Sequence, residues 1–276
     1  MRPIFIALLL FSLPGCGGQT EPVMHSRPAP PGPSYSKNIR YRGVDILIQY
    51  PSDSLPLKGD LLLLPGWNYK NTLWCDSTDV CKTAMQKGYR VIAPQMMQSI
   101  YATHYFPETR QDLRKYPTLL WLDSALNYLH DSVGLLGMKR YALGLSTGGR
   151  GVAMICEKKP YFFHAAAALS GDYNQAAMPK DALCTLVYGP FTQHQERWKE
   201  WDNPQADRKN FQTPLYLGHG QMDRVVPVRQ TLEFGRAVTE AHPRLSVNLH
   251  IDTTAGHNFA YWRSELPAVW QFFEKH

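Results

Sequence analysis

The sequence predicts an α/β fold, a mostly parallel central sheet flanked by helices on both faces, with a modest lid-like insertion. Three observations point there. Between Arg140 and Ile155 a short apolar run, Tyr141 to Leu145, turns sharply through Gly144, Ser146, Gly148 and Gly149 and continues as Val152-Ala153-Met154-Ile155, a buried helix. Other apolar runs of strand length are interleaved with segments of helical period. Asp223 and His257 each lie just past the carboxyl end of a predicted strand, the edge on which open α/β sheets place their sites. The 276 residues suit one large domain, and 44% apolar and 12% aromatic content is enough for a full core.

The chain opens with one positive charge and an apolar run over residues 1–15, too short to span a bilayer, which reads as a signal peptide. Leu13-Pro-Gly-Cys16 resembles the bacterial lipobox, apart from the unusual proline. That resemblance implies that Cys16 is lipidated and becomes the mature N-terminus, attaching the protein to a membrane of the cell envelope. Gly17, in place of an aspartate, gives no sign of inner-membrane retention, so the outer membrane is expected in a cell with two. The plainer reading is a secreted protein with a stray cysteine. Residues 16–35 then form a Pro-rich tether around Pro28-Ala-Pro-Pro-Gly-Pro33, which can join neither helix nor ladder and reaches on the order of 60 Å.

A single catalytic domain is expected over residues 36–276. Ile39 to Tyr50 holds one or two strands around Arg42-Gly43, with Val44, Ile46 and Ile48 alternating. Asp60 to Leu64 is a fully apolar strand leading into Pro65-Gly-Trp67. Asp79 to Lys87 reads as a helix ended by Gly88, and Tyr89 to Pro94 as the next strand. Gln95 to Pro107 carries Tyr101, His104, Tyr105 and Phe106, which either line a pocket or pack a loop. Leucines at helical spacing mark Pro117 to His130 as a core helix, and Phe163 to Ser170 is another buried strand. Gly171 to Thr213 is aromatic without a clear period and is the expected lid or side wall. Val228 to Ala241 and Tyr261 to Glu274 read as helices, with Pro267 near the start of the second or kinking it.

The turn at Ser146 has the form G-x-S-x-G, a strand delivering a serine onto a tight turn before a helix. The serine backbone is strained there, and a side chain at Gly144 or Gly148 would collide where strand and helix cross. The helix N-terminus aims N–H groups at the space where an oxyanion would form. A serine so placed needs a base and an acid following in the order Ser, acid, His. Asp223, in the loop after Pro214-Leu-Tyr-Leu-Gly218, and His257, after Val247 to Asp252, meet that order.

These segments resemble a known family. Leu143-Gly-Leu-Ser-Thr-Gly-Gly-Arg-Gly-Val152, followed by Ala167-Ala-Leu-Ser-Gly171, looks like the esterase D/feruloyl esterase branch of the α/β-hydrolases. His219-Gly-x-x-Asp223-x-x-Val226-Pro227 is similar to the acid loop of many α/β-hydrolases, and Gly256-His-Asn-Phe-Ala-Tyr-Trp-Arg263 resembles the histidine loop of that branch. The likeness runs from Asp60 to the C-terminus, more loosely between motifs. It implies a serine esterase with nucleophile Ser146, base His257 and acid Asp223, working on a small-molecule or glycan-linked ester. The oxyanion donors would be the backbone N–H groups of Thr147 and of Trp67 or a close neighbour. Thr147 stands where the family usually has Met, which bears on pocket shape, since the backbone carries the role. Acetyl or feruloyl-type groups on extracellular glycans are the implied cargo. An acyltransferase using the same acyl-enzyme and a non-catalytic binding protein on the same fold are the alternatives.

Setting Cys16 aside, Cys75, Cys81, Cys156 and Cys184 form an even set in an export compartment, with three possible pairings. Cys75 with Cys81 and Cys156 with Cys184 are the favoured ones. The cysteine and histidine spacings match no zinc site, no phosphate loop or dinucleotide fingerprint occurs, and neither metal nor cofactor is expected. The formal charge of +6 comes without a long Lys/Arg run, so nucleic acid is not an expected partner.

Overall fold

Alternation in Val44, Ile46 and Ile48 resolves into a hairpin in the structure, a computed structural model that describes residues 34–276. The expected signal peptide, Cys16 and nearly all of the tether lie outside the described residues. Strands β1 (Tyr35–Tyr41) and β2 (Val44–Tyr50) pair antiparallel. Arg42 and Gly43 turn the chain with φ of 45° and 79°, the left-handed pair that a two-residue hairpin requires. β1 thus begins at Tyr35, the last residue assigned to the tether from sequence.

The apolar run before Pro65 is β3 (Gly59–Leu64), buried throughout. A short helix that the sequence did not announce, α1 (Leu73–Ser77), precedes α2 (Val80–Gln86), and Gly88 at φ 85° turns the chain into β4 (Tyr89–Pro94). Helix α3 (Leu119–Asp131) starts on Thr118, whose side chain accepts from the Trp121 N–H. Then follow β5 (Lys139–Leu145), α4 (Thr147–Lys158) and β6 (Ala165–Leu169). The expected lid segment folds as α5 (Ala182–Tyr188), α6 (Gln195–Glu200) and α7 (Pro204–Asp207). The chain closes with β7 (Leu215–Gly220), α8 (Arg229–Ala241), β8 (Val247–Asp252) and α9 (Phe259–Lys275), with Pro267 inside α9.

The eight strands form one sheet in the order β1-β2-β4-β3-β5-β6-β7-β8, parallel from β4 to β8 and antiparallel at the β1 end. Period-two side-chain alternation splits the core into two layers. Leu62, Leu64, Ala142, Ala166 and Ala168 pack with α3, α4 and α8 on one face. Leu61, Leu63, Tyr141, Leu143, Ala165, Ala167 and Leu169 pack with α1, α2 and α9 on the other. The alanine run of β6 keeps side-chain bulk low beside β5 and under α4, the strand and helix that carry Ser146.

Cys75 and Cys81 are joined in a disulfide that ties α1 to α2, with Cα atoms 5.1 Å apart. The second expected bridge is absent, because Cys156 and Cys184 are buried free thiols. Cys156 faces the α3/α4/α8 layer, whereas Cys184 belongs to a separate cluster with Ile100, Leu113, Tyr188 and Trp198. Even cysteine counts do not encode layer membership, and here the two thiols fall in different packing units.

Candidate active site

Ser146 sits between β5 and α4 with φ 54° and ψ −127°, a strained conformation for a residue with a Cβ. Backbone contacts hold it there. Its N–H donates to the Leu169 carbonyl at 2.8 Å, and its own carbonyl accepts from Gly149 N–H at 2.8 Å. A Cβ on Gly144 would overlap the Gly148 carbonyl, and one on Gly148 would overlap the carbonyls of Leu64 and Pro65. The turn is therefore seated directly on the end of β3.

Asp223 and His257 arrive from neighbouring loops whose backbones touch. Gly220 leaves no room for a side chain against Ala255, and Met222 N–H donates to the Ala255 carbonyl at 2.8 Å. His257 is followed by Asn258, which caps α9 by accepting from Tyr261 N–H at 3.0 Å. The result is a hydrogen-bonded line: Ser146 Oγ lies 3.0 Å from His257 Nε2, and His257 Nδ1 lies 2.7 Å from Asp223 Oδ2. The Asp223 side chain is fully buried. Burial alone would push its carboxyl up, but hydrogen bonds from His219 and His257, the charge on His257 and the Val226 N–H hold it well below the usual carboxylate range.

The expected oxyanion donors flank the serine. Gly66 packs so closely that a Cβ there would lie 3.2 Å from Ser146 Cβ, so the loop carrying Trp67 lies against the Ser146 turn. Among the described residues, neither the Trp67 nor the Thr147 backbone N–H has an acceptor. Tyr101 supports that loop: it is fully buried, and its hydroxyl donates to the Pro65 carbonyl at 2.9 Å. Of the pocket candidates after β4, then, Tyr101 packs structure. His104 and Phe106 instead stack with Trp201 of the inserted segment. The half-buried Trp67 packs against the apolar cluster that includes Ile100, Leu113, Val187 and Trp198, so residues of the insertion form part of an apolar wall beside this loop.

Three further residues escaped sequence reasoning. Trp262 stands edge-on to the His257 ring at 5.0 Å between centroids, anchored by its indole N–H to Ser170 Oγ at 3.1 Å. Arg150, on the first turn of α4, is buried and donates to Asp172 Oδ2 at 2.7 Å, to Gln175, to the Tyr188 hydroxyl at 3.2 Å and to the Asp202 carbonyl. His219, fully buried, lies 3.3 Å from Asp223 Oδ2, the oxygen that also faces His257 Nδ1. Its i,i+4 spacing to the acid was a readable signal for His219; Arg150 and Trp262 find their partners only through the tertiary fold. No cluster of His, Cys, Asp and Glu suited to a metal ion occurs among the described residues.

Comparison with known proteins bears on both fold and family. The model of the prolyl oligopeptidase family matches residues 124–276, more than half of the chain. No curated protein sequence matches it. Among solved structures, the fluorophosphonate-binding serine hydrolase F of Staphylococcus aureus superposes with a TM-score of 0.66 at 18% identity, over 88% of this chain and 99% of that one. A ferulic acid esterase gives 0.58 at 18% identity, over 87% and 98%. The acylaminoacyl peptidase of Pyrococcus horikoshii gives 0.65 at 14% identity, over 89% of this chain but 42% of that one. At these identities the likeness establishes a shared α/β-hydrolase fold.

Proposed function

The chain belongs to the prolyl oligopeptidase family of serine hydrolases, and from that premise we propose that it hydrolyses carboxylic esters through an acyl-enzyme on Ser146. The observation that carries this reading is the line from Ser146 Oγ through His257 to the buried Asp223 carboxylate. His257 Nε2 takes the Ser146 proton as Oγ attacks the ester carbonyl. The new oxyanion accepts hydrogen bonds from the Trp67 and Thr147 N–H groups. As the tetrahedral intermediate collapses, the imidazolium protonates the leaving alcohol. Water, deprotonated by the same imidazole, then releases the acid and restores the serine. Asp223 keeps the imidazole in the tautomer with its free lone pair toward Ser146 and stabilises the imidazolium.

Short-chain p-nitrophenyl esters test this directly. Turnover should fall by about 10³-fold or more in Ser146→Ala. Equal rates in both proteins would remove Ser146 as the nucleophile. The family match and the likeness to an acylaminoacyl peptidase favour one second reading, cleavage of a peptide-type amide by the same residues. An acylaminoacyl p-nitroanilide turned over faster than the matching ester would select it. For the natural substrate we propose acyl groups on glycans outside the cytoplasm, a reading that rests on the Leu-Ser-Gly and histidine-loop motifs and on the export expected from residues 1–16. We also propose that a lipid on Cys16 anchors the protein to the cell envelope; mass analysis of the native N-terminus decides that.

A further inference from the structure

Asp223 is held by more than the base it serves. Its Oδ1 accepts from the Val225 and Val226 N–H groups at 2.8 and 2.9 Å, and its Oδ2 faces His257 Nδ1 at 2.7 Å. Oδ2 also faces a second imidazole, His219 Nε2, at 3.3 Å. His219 ends on β7, fully buried, and its hydrogen-bond pattern fixes its proton. Nε2 lies 3.0 Å from the Val226 carbonyl, which only accepts, so Nε2 carries the hydrogen, donates it to that carbonyl and presents the same N–H edge to Asp223 Oδ2 at 3.3 Å. Nδ1 lies 2.7 Å from Thr231 Oγ1 on α8, whose hydroxyl donates to the lone pair of the neutral ring. Thr231 is itself fully buried, so the arrangement excludes water.

The titratable groups that face Asp223 are therefore two histidines, and no lysine or arginine of the described residues forms an ion pair with it. One histidine meets the nucleophile; the other cannot, because both its ring nitrogens are occupied inside the protein. We propose that His219 is a positioning residue for the acid of the site: its Nε2–H fixes the orientation of the Asp223 carboxylate and limits how strongly that carboxylate binds the His257 imidazolium. This rests on the reading of Ser146, His257 and Asp223 as the catalytic line. A carboxylate oxygen shared between two donors gives less negative charge to each. Without His219, Oδ2 holds the His257 proton more tightly, and the base gives it up at higher pH. Oδ1 stays on the Val225 and Val226 N–H groups, so the loss falls on Oδ2, whose alignment with His257 Nδ1 loosens and slows the proton transfers.

The test compares kcat and KM against pH, on a p-nitrophenyl ester, for the whole protein and two variants. His219→Leu removes the donor. His219→Gln keeps an N–H near the Nε2 position and serves as the conservative rescue. For His219→Leu the expected result is a kcat lower by about tenfold, as for loss of one hydrogen bond to a charged group, with KM changed less than twofold. Its acidic limb should move up by roughly half a pH unit. His219→Gln should return the limb to its original position. A His219→Leu profile that keeps its acidic limb while folded by circular dichroism overturns the proposal and leaves a packing role. A limb that moves equally in both variants overturns it as well. If Leu proves unfolded, the Gln variant together with Thr231→Val decides: Thr231→Val frees Nδ1 to take the ring proton, so a limb unmoved in Thr231→Val counts against the assignment. Activity indifferent to Ser146→Ala would instead strike at the catalytic reading itself, and the two failures stay separate.

Discussion

Replacing Arg150 by methionine, a side chain of similar length without charge, isolates the network that joins α4 to the inserted segment. The guanidinium is 1% exposed and Asp172 6% exposed, so neither charge has water to fall back on. Burial pushes the Asp172 carboxyl above the ordinary range while Arg150 pulls it back, so removing Arg150 lets it rise further. Breaking a buried pair from one side costs about 3–5 kcal/mol because the surviving charge is left unpaired. In a domain of this size each kcal/mol lowers Tm by roughly 2–4 °C, so scanning calorimetry at pH 7 should show a fall of about 6–20 °C. The sign of the pH dependence follows from the raised carboxyl. The folded state then binds a proton that the unfolded state releases, so the variant's deficit should grow as pH rises from 4 to 7. Arg150→Met with Asp172→Leu should recover much of the loss, as a matched apolar pair does elsewhere. A single-variant Tm within 2 °C of the parent, at every pH, would refute the reasoning.

Gly148→Ala places a methyl group on the Leu64 and Pro65 carbonyls, which are backbone and cannot rotate away; about 1–3 kcal/mol of stability and most ester turnover should be lost together, read by Tm and kcat. Asp223→Asn should lower kcat by about 10⁴-fold by favouring the wrong imidazole tautomer, and a drop under tenfold would remove the acid from the mechanism. Cys75→Ser with Cys81→Ser opens a short loop worth about 2 kcal/mol, visible as a Tm lower by roughly 4–8 °C. Cys156 and Cys184 should be silent to an aromatic disulfide reagent in the native protein and react as two thiols, besides any at Cys16, in denaturant; two missing thiols would restore the bridge expected from sequence.

The strand-to-loop edge was legible because its chemistry forces unusual residues into fixed places. Gly144, Ser146 and Gly148 are spaced by the geometry of one turn, and Asp223 and His257 follow a buried apolar strand and an alternating one. The insertion after β6 was legible only as a region. Its helices α5, α6 and α7 span seven, six and four residues, too few for a 3.6-residue period to stand out from noise. Their positions are set by Arg150, whose partners lie 22 to 52 residues away in sequence and leave no local trace. Cys184 followed the same logic: the insertion packs on its own satellite cluster, away from the layer that holds Cys156.

The two halves of the site thus rest on different physics. Ser146, Asp223 and His257 are placed by backbone packed on backbone, at Gly144 on Gly148, Gly148 on Leu64 and Gly220 on Ala255, where interatomic repulsion fixes distance steeply. The wall beside Trp67 is set by a buried charge with polar partners from two loops and the end of α5, an arrangement stabilised less by net energy than by the cost of every mismatched alternative. Substitutions in the wall are therefore expected to leave the distances among Ser146, His257 and Asp223 unchanged. The same difference explains why the residues of the sheet edge could be read from the sequence, whereas the packing of the insertion could not.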